Sequence, residues 1–518
     1  MKTKNRNTLK SICAISLAAC MLAGYSSVSV GAVAVNEDTT GAVTTDDTVA
    51  AGDFIYYDNG DGTITIDYYS GSDTELVIPS QIDGKSVSAI GEFAFAFCTD
   101  FTSVTIPSSV TAIGQYAFYG CSGLTNITIP DGVTRIGNTA FYSCTALTSI
   151  KIPGSVTNFG SDVFTNCTSL TSVVLGDGLT KIFNNMFFGC ASLTSITIPD
   201  SVTDIGYNAF YNCTGLTNAV LGNGVAEIDH DVFKGCTGLK SVTIPKGITY
   251  IGERMFYGCT GLESITIPDS VTEIRDYAFS ECTGLTEISI PDGVTYIGGS
   301  AFESCEKLTR VELPDSIKEI GISAFRFCTA LAEINLPEGI VSIRNSAFLE
   351  CEGLTSIKIP ESITLIDDST FRGCTGLTDV VIPDSVTEMR ANAFMYCTGL
   401  TSIKIPASVK YIGPESFDGC EDLTIYGYTG SYAEFYANDY DIPFVALDDT
   451  DKGLLGDVNL DGKIDVSDAT FIQMSIVNLV ELSDEAKVNA DVNHDGKIDV
   501  TDATLIQMFA AEAIDSFE

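Results

Sequence analysis

The chain has 518 residues, of which 45% are hydrophobic, enough for a large elongated core and a small extra domain. Its 27 basic and 68 acidic residues give a formal net charge of −41, which argues against nucleic acid or an anionic membrane surface as a partner, because both need a basic face. Only two His and no Trp are present, so most histidine-based catalysis is excluded and a carbohydrate module built on Trp platforms is disfavoured.

The N-terminal segment has the features of a secretory signal. Four basic residues lie within the first ten, the apolar run ICAISLAACMLAG follows, and AVA at residues 32–34 suits a cleavage site. A rival interpretation takes LAAC, ending at Cys20, as a lipobox that would leave the chain lipid-anchored at the cell surface. No later segment is long and apolar enough to span a bilayer. We therefore expect a secreted, extracellular protein with residues 1–34 as its signal peptide.

Two irregular segments are predicted before the regular part of the chain. Residues 35–52 are acidic, rich in Thr and Gly and without apolar periodicity, so they should form a disordered leader. Residues 53–100 should form an N-terminal cap and an irregular first repeat. Within them, FIYYDNGDGTITIDYY alternates about an acidic turn and predicts a β-hairpin.

A 23-residue unit, LTSITIPDSVTDIGYNAFYNCTG at residues 193–215, is repeated along most of the chain. Phe recurs every 23 residues from Phe95 to Phe417, and a Cys follows three residues after each Phe. A fixed period of this length predicts a solenoid, with fourteen regular repeats over residues 101–422. Residues 423–447 should cap its far end, and residues 448–455 should be a linker.

Each unit predicts one strand and one returning segment. Leu193, Ile196 and Ile198 fit a short strand that ends at Pro199, which cannot donate to a ladder. Stacked units would pair these strands into a parallel sheet with a spacing of roughly 4.8 Å. The returning segment is predicted to form a helical turn or 3₁₀ turn near AFYNC, at residues 209–213.

At LxxIxIPxxVxxIGxxAFxxC the chain resembles the leucine-rich repeats of the BspA type, found in bacterial surface and secreted proteins. The resemblance covers roughly residues 54–446. It implies an α/β repeat solenoid with parallel strands, and a role in adhesion or protein interaction.

The cysteines do not form the usual pattern of a secreted disulfide protein. Two of the seventeen lie in the signal, and fifteen occupy one repeat position beside the Phe column. Every Cys would have two equivalent neighbours, so no pairing is preferred. We predict a ladder of reduced thiols that act as small hydrophobes, with disulfides as the alternative.

The strand surface is the candidate ligand-binding face. It has columns of Thr and Ser in its first half and gains charged residues later, at Glu263, Glu287, Arg310, Glu312, Glu333, Lys358, Asp379 and Lys404. Mixed charge suits a protein or glycan ligand, whereas the alternative is a simply solvated face. A second column after each Phe is aromatic and would either stack on sugar rings or pack on the surface, at Tyr119, Tyr142, Phe188, Tyr211 and Tyr257.

Catalysis is not predicted. The carboxylates that follow each IP recur with the repeat, which indicates turn residues and not a glycosidase pair. No Ser or Cys lies near a His in the sequence, so a nucleophile with its base is not indicated either.

The C-terminal region, residues 456–518, contains two matched twelve-residue loops, DVNLDGKIDVSD and DVNHDGKIDVTD. Oxygen side chains occupy positions 1, 3, 5, 9 and 12 and Gly occupies position 6, a spacing that wraps a chain around calcium. Two calcium ions are therefore predicted. The expected ligands are Asp457, Asn459, Asp461, Asp465 and Asp468 with the Lys463 carbonyl, and Asp491, Asn493, Asp495, Asp499 and Asp502 with the Lys497 carbonyl.

Both loops end in Asp, each is predicted to be followed but not preceded by a helix, and the copies are 34 residues apart. These features resemble the type I dockerin of cellulosomes, a small α-helical domain with two calcium loops. The resemblance implies docking onto a cohesin domain of a scaffold protein through Val466, Ser467, Gln473, Met474, Val500, Thr501, Gln507 and Met508.

Met474 and Met508 replace a basic residue common in dockerins, which leaves the class of cohesin open. The alternative is that both Met side chains pack inside the module. Ile472, Ile476 and Ile506 are the expected core residues.

Together these features predict a secreted, non-catalytic leucine-rich repeat protein anchored to a cellulosome scaffold by calcium-dependent dockerin–cohesin binding. Two alternatives remain. One is a cellulosomal enzyme of polysaccharide catabolism with hydrolase or lyase activity in the repeats, and the other is a carbohydrate-binding module.

Overall fold

The computed structural model describes residues 48–447, 455–477, 479–493, 496–511, 513–514 and 517. The predicted signal peptide, most of the predicted leader and most of the predicted linker lie outside these residues. The strands, in chain order, are β1 (Thr48–Ala51), β2 (Phe54–Asp58), β3 (Thr63–Tyr69), β4 (Glu75–Val77), β5 (Gln81–Ile82), β6 (Lys85–Ile90), β7 (Ser103–Thr105), β8 (Ala112–Ile113), β9 (Asn126–Thr128), β10 (Arg135–Ile136), β11 (Ser149–Ile152), β12 (Asn158–Phe159), β13 (Ser172–Leu175), β14 (Lys181–Ile182), β15 (Ser195–Thr197), β16 (Asp204–Ile205), β17 (Asn218–Val220), β18 (Glu227–Ile228), β19 (Ser241–Thr243), β20 (Tyr250–Ile251), β21 (Glu273–Ile274), β22 (Glu287–Ser289), β23 (Tyr296–Ile297), β24 (Arg310–Glu312), β25 (Glu319–Ile320), β26 (Glu333–Ile334), β27 (Ser342–Ile343), β28 (Ser356–Lys358), β29 (Leu365–Ile366), β30 (Asp379–Val381), β31 (Glu388–Met389), β32 (Ser402–Lys404), β33 (Tyr411–Ile412), β34 (Thr424–Gly427) and β35 (Phe444–Ala446). The helices are α1 (Tyr432–Asp439), α2 (Val466–Ile476), α3 (Asp484–Ala490) and α4 (Val500–Ala510).

Most repeats contribute two parallel strands, whereas the sequence predicts one. The expected strand is present, and β15, β17 and β19 pair with Ser195 opposite Asn218 and Asn218 opposite Ser241. A second, two-residue strand pairs β14, β16 and β18, with Ile205 opposite Ile182 and Ile228. The second ladder forms because stacking places the returning segment of each repeat beside the same segment of the next, with Ile205 buried and Asp204 half-buried.

The returning segment is a run of β-turns, so the predicted helical or 3₁₀ turn is wrong. Asn208 and Asn212 have positive φ values of 54° and 55°, a conformation that interrupts a helix. Their N–H groups donate to carbonyl oxygens of the next repeat at 3.3 and 2.8 Å, and the N–H of Phe210 between them does so at 3.0 Å. The return therefore carries a third ladder of hydrogen bonds between repeats.

The core of the solenoid is a column of stacked Phe rings. From Phe95 to Phe417, consecutive ring centroids are 5.1 to 5.8 Å apart. Each of these rings is buried, with 2% or less of its surface exposed. Stacked aromatic pairs contribute about 0.5–1.5 kcal/mol each beyond the area they bury, so the column adds directional stabilisation along the whole solenoid.

The predicted Cys column lies inside the solenoid, next to the Phe rings. Fourteen of the fifteen repeat cysteines are buried, Cys98 in the first repeat is half-buried, and all fifteen are free thiols. Each thiol from Cys121 to Cys420 donates to the carbonyl oxygen of the Phe in the preceding repeat. The thiols therefore act as hydrogen-bond donors as well as small apolar side chains.

The N-terminal cap begins with a strand that the sequence does not predict. Strand β1 pairs antiparallel with β2, so the leader expected to be disordered through residue 52 is ordered from Thr48. Pairing with β2 satisfies the backbone groups on one side of this strand, and Ala51 packs against the core. The predicted hairpin is present, because β2 and β3 pair antiparallel about the acidic turn.

The C-terminal end of the solenoid is closed by α1 and β35. Strand β35 adds in parallel to β34, with Tyr426 opposite Val445. Tyr436 of α1 meets Phe417 edge to face, with ring centroids 5.9 Å apart, and thus ends the Phe column. The cap covers the last repeat, as the sequence leads us to expect.

Helices α2, α3 and α4 belong to the C-terminal module, which has a hydrophobic cluster of its own. Ile472 of α2 and Ile506 of α4 are fully buried in it, beside Ala490 of α3. None of the described helices has both the length and the hydropathy needed to cross a membrane.

Candidate calcium-binding site

The first loop begins at Asp457, whose carboxylate folds back over the loop. It is 4% exposed, and its two oxygens accept N–H groups from Asp461 at 3.0 Å and Gly462 at 2.7 Å. Gly462 has φ 84°, a conformation that a side chain would strain. Gly at position 6 thus lets the chain turn sharply beneath the first carboxylate.

Asp468 closes the same loop and is fully buried. Its carboxylate accepts N–H groups from Val458 at 2.9 Å, Asn459 at 3.0 Å and Asp465 at 2.9 Å. These partners are neutral amides, and a buried carboxylate is costly unless a positive charge compensates it. The donor set of this loop therefore fits a hard cation that prefers oxygen ligands, as calcium does.

Asp465 joins the loop to helix α2. It is the N-cap of that helix and forms a reciprocal capping box with Asp468. The hydroxyl and N–H of Ser467 donate to Asp465 and hold the pKa of its carboxyl below its usual value. Asp465 is therefore ionised at neutral pH.

The remaining residues of the first loop are held by local bonds. Asn459 accepts an N–H from Asp461 at 2.9 Å and donates its amide to the Ser467 hydroxyl at 2.8 Å. Lys463, the predicted carbonyl ligand, donates its N–H to Asp461 at 3.0 Å.

The second loop repeats this arrangement, but helix α3 ends at Ala490, directly before it, so the prediction that no helix precedes either loop is wrong for the second loop. Asp491 accepts an N–H from Gly496 at 3.0 Å, and buried Asp502 accepts an N–H from Val492 at 3.1 Å. Asp499 caps helix α4, and the N–H of Thr501 donates to it at 2.7 Å. The other predicted ligands of this loop are Asn493 and Lys497, within the described residues, and Asp495, outside them.

Among the described residues, no group of three or more His, Cys, Asp or Glu side chains is arranged to hold a metal ion. The loop carboxylates are instead turned toward backbone amides. A calcium loop also uses ligands outside this set, namely an Asn side chain and a backbone carbonyl, and both are present in this segment.

The predicted docking residues lie at the outer side of α2 and α4. Val466 and Val500, the first residues of these helices, are 62% and 63% exposed. Exposed positions also include Gln473, Thr501, Gln507 and Met508, whereas Ser467 and Met474 are half-buried. Met508 is therefore not a core residue.

The core assignments are correct for two of the three Ile residues. Ile472 and Ile506 are fully buried, but Ile476 is 40% exposed. Ile476 is the last residue of α2 and extends beyond the cluster that the helices share.

Comparison with known families identifies both parts of the chain. Residues 88–217, 203–320 and 300–424 match the family described as BspA type Leucine rich repeat region (6 copies). The chain belongs to the BspA-type leucine-rich repeat family. Residues 455–509 match the Dockerin type I domain, so the C-terminal module is a type I dockerin.

Solved structures include similar repeat proteins. A leucine-rich repeat protein from Bacteroides ovatus is 29% identical over 70% of this chain and 99% of its own, with a TM-score of 0.63. A leucine rich cell surface protein from Faecalibacterium prausnitzii is 34% identical over 64% of this chain and 94% of its own, with a TM-score of 0.46. No curated protein matches the chain.

The aromatic column of the leucine-rich repeats packs on itself. Phe188 and Tyr211 stack at 4.7 Å with planes 2° apart, and Tyr119 and Tyr142 stack at 5.0 Å with planes 7° apart. A sugar ring would need an exposed ring face, and each of these rings has a face covered by its neighbour. The geometry thus favours surface packing over sugar stacking.

Many Thr and Ser hydroxyls of the repeats bind the preceding repeat, which the sequence analysis misses. Thr217 donates to the carbonyl of Thr194 at 2.9 Å, and the same bond recurs along the column. Ser201 donates to the carbonyl of Leu179 at 2.7 Å, and this bond also recurs. Thr and Ser recur regularly at the positions just before the strands, and this recurrence was the sequence signal for hydrogen bonds between repeats.

The strand surface also contains a cleft that the sequence does not indicate. A volume of about 630 Å³ lies along β30, β32 and β34, lined in part by Asp379, Lys404, Tyr426 and Tyr428. The two Tyr belong to the cap segment and the charged residues to the repeats. Only their juxtaposition in the fold creates the cleft.

Proposed function

We propose that this protein is a secreted, non-catalytic interaction protein that is attached to a cellulosome scaffold by its dockerin. The observation that carries the proposal is the pair of loop–helix units, each with a buried closing carboxylate and an exposed Val at the start of its helix. We assign residues 48–447 to the capped solenoid and residues 456–518 to the dockerin.

In this proposal each loop holds one calcium ion through the residues named above. Calcium would supply a positive charge beside the buried Asp468 and Asp502 carboxylates and would draw each loop closed. Closure would in turn fix the N-termini of α2 and α4, because Asp465 and Asp499 belong both to a loop and to a cap.

The cohesin-binding face would consist of the exposed ends of α2 and α4. Val466 and Val500 would supply apolar contact area at the start of each helix. Gln473 and Gln507, exposed two turns later, would supply hydrogen bonds at the edge of the contact.

The repeats would present a ligand-binding surface to a protein partner. Their exposed charges already pair with each other, as between Arg310 and Glu312 at 3.0 Å and between Lys358 and Glu338 at 2.8 Å. Exposed ion pairs of this kind contribute little to the stability of the fold. A partner with complementary charges can therefore replace them with ion pairs across the interface.

A glycan ligand is the second candidate, and the cleft beside Tyr426 and Tyr428 favours it. The cleft combines two aromatic side chains with the carboxylate of Asp379 and the hydroxyl of Ser402. Such a combination suits a sugar, which presents both apolar ring faces and hydroxyl groups.

An enzymatic role is disfavoured because carboxylates recur after the Pro of the repeat, and two of them, Asp200 and Glu338, bond to the next repeat. The carboxylate of Asp200, for example, accepts the N–H of Asn223 in the next repeat at 2.7 Å. Release of reducing sugar by the purified chain, abolished by substitution of one carboxylate, would support the enzyme alternative instead.

The test is cohesin binding by the purified chain, measured by calorimetry with calcium and with a chelator. The variant Asp468→Asn removes the closing charge but keeps the size, and it should lower cohesin affinity at least tenfold at limiting calcium. Val488→Ala alters an exposed side chain on α3 and serves as the matched control. Calcium-independent binding by the wild-type chain would contradict the proposal.

Export is tested by the N-terminus of the mature chain. Mass spectrometry of the native protein should find a first residue that follows Ala34. A diacylglycerol-modified Cys20 would support the lipid-anchored alternative.

A further inference from the structure

Asn489 of α3 connects the entries of the two calcium loops. Its side-chain amide donates to the carbonyl oxygen of Asp457 at 2.7 Å. The backbone carbonyl oxygen of Asn489 accepts the N–H of Gly456 at 2.8 Å. Asp457 is the first residue of one loop, and Asn489 lies two residues before Asp491, the first residue of the other.

The residues that Asn489 contacts are also those that set the geometry of the first loop. The carboxylate of Asp457 receives the N–H groups of Asp461 and Gly462. The next residue, Val458, donates its N–H to the closing carboxylate of Asp468. A displacement of the Asp457 backbone would therefore alter both ends of that loop.

Asn489 breaks the internal symmetry of the dockerin. The 34-residue offset equates it with Leu455, which packs against the hydrophobic cluster. The first copy of the loop therefore has no counterpart of the side-chain bond from Asn489 to Asp457.

The side chain of Asn489 is costly to bury. It is fully buried, and its Oδ1 has no hydrogen-bond partner among the described residues. An apolar residue of similar size would avoid this cost. The side-chain amide is therefore best explained by the bond that it donates to the backbone of Asp457.

We propose that Asn489 is a positioning residue that couples the two loops, so that calcium in either loop raises the calcium affinity of the other. This inference rests on the proposed calcium sites. Calcium in the second loop would order the segment that follows Asn489. The bond to Asp457 would then hold the first loop closer to its calcium-bound shape, and the coupling must be equal in both directions.

The test is calcium titration of the full chain by calorimetry, with NMR of ¹⁵N-glycine-labelled protein to report each loop. Gly462 and Gly496 donate their N–H groups to Asp457 and Asp491, so their signals follow the two loops separately. The variant Asp491→Ala disables the second loop. We expect it to lower the calcium affinity of the first loop by about five- to tenfold.

The same measurement in the Asn489→Leu background isolates the contribution of the bond. There, disabling the second loop should leave the affinity of the first loop unchanged within about twofold, which is a strongly non-additive pattern. Val488→Ala is the matched control and should behave as the wild-type chain. Should the Leu variant fail to fold in saturating calcium, Asn489→Asp keeps the shape and removes the donor.

Two results would overturn the inference. An equal effect of Asp491→Ala in both backgrounds would show that the coupling runs through the hydrophobic cluster, and it would reject a role for Asn489. No effect of Asp491→Ala on the first loop of the otherwise wild-type chain would show that the loops are independent. A wild-type chain that binds no calcium would instead reject the proposed function.

Discussion

The thiol of Cys213 donates a hydrogen bond to the carbonyl oxygen of Phe187, one repeat earlier, with the sulfur and oxygen 3.2 Å apart. The same bond is made by thirteen further thiols. Each of these bonds thus joins the Cys side chain of one repeat to the backbone of the preceding repeat, and oxidation of the thiol would break it.

The first prediction is that the fifteen repeat thiols remain mostly reduced. Burial raises the pKa of Cys98 and of Cys420, at the two ends of the ladder, to about 11. Oxidation requires the thiolate, which is scarce at neutral pH when the pKa is this high. Thiol titration of the denatured, non-reduced protein should find close to fifteen thiols, and the native protein should react slowly. Recovery of only a few thiols would contradict the prediction.

The second prediction is that the solenoid loses stability steeply above about pH 9. Burial raises the pKa of Cys282 and Cys374 to about 12, from an ordinary value of 9.0. Above pH 9.0 these thiols ionise in the unfolded chain but stay protonated in the folded one. The folded state then binds more protons, so the free energy of unfolding falls by about 1.4 kcal/mol per pH unit for each thiol.

Urea unfolding in reducing buffer between pH 8 and pH 10.5 measures this slope. In the double variant Cys282→Ala and Cys374→Ala, the free energy of unfolding should fall less steeply with pH. The decrease in slope should correspond to about two protons relative to the wild-type chain. Ionisation of Tyr and Lys is common to both proteins and cancels in the comparison. An unchanged slope would show that these thiols do not drive alkaline unfolding.

The third prediction concerns calcium removal. The dockerin and the solenoid have separate hydrophobic clusters, and the predicted calcium ligands all belong to the dockerin. Chelation should therefore unfold residues 456–517 and abolish cohesin binding, while the circular dichroism of the repeats is largely kept. Limited proteolysis in chelator should cut within the dockerin first. Cooperative loss of the whole structure would contradict the two-domain division.

The fourth prediction is that the two helix faces of the dockerin can replace each other. Residues 457–474 and 491–508 differ at only three of eighteen positions, and Val466 and Val500 are equally exposed. A half-turn of the module would present either face to the same cohesin. Each single-face variant should therefore cost little affinity, and their combination should abolish binding.

Calorimetry on three variants tests this symmetry. The two single-face sets to be changed to Ala are Val466, Ser467, Gln473 and Met474, and Val500, Thr501, Gln507 and Met508. Near-complete loss of binding from either set alone would indicate one fixed orientation. Because Ser467 also bonds to Asp465, a set that retains Ser467 controls for damage to the loop.

The sequence by itself determines the repeat and the loops, because both are local patterns. The 23-residue recurrence of Phe and Cys identifies a stacked solenoid with an inward column, and the structure has those side chains buried. The oxygen spacing from Asp457 to Asp468 likewise predicts a cation loop, since the five side chains and the Gly that form it all lie within one twelve-residue segment.

The tertiary structure alone decides the features that depend on how one segment lies against another. The second strand ladder through Ile205 and the left-handed turns at Asn208 and Asn212 arise only when a neighbouring repeat offers partners for the backbone. Ile476 is exposed because α2 ends beyond the cluster, which helical spacing does not reveal. The bond from Asn489 to Asp457 joins residues 32 positions apart, and no local pattern encodes it.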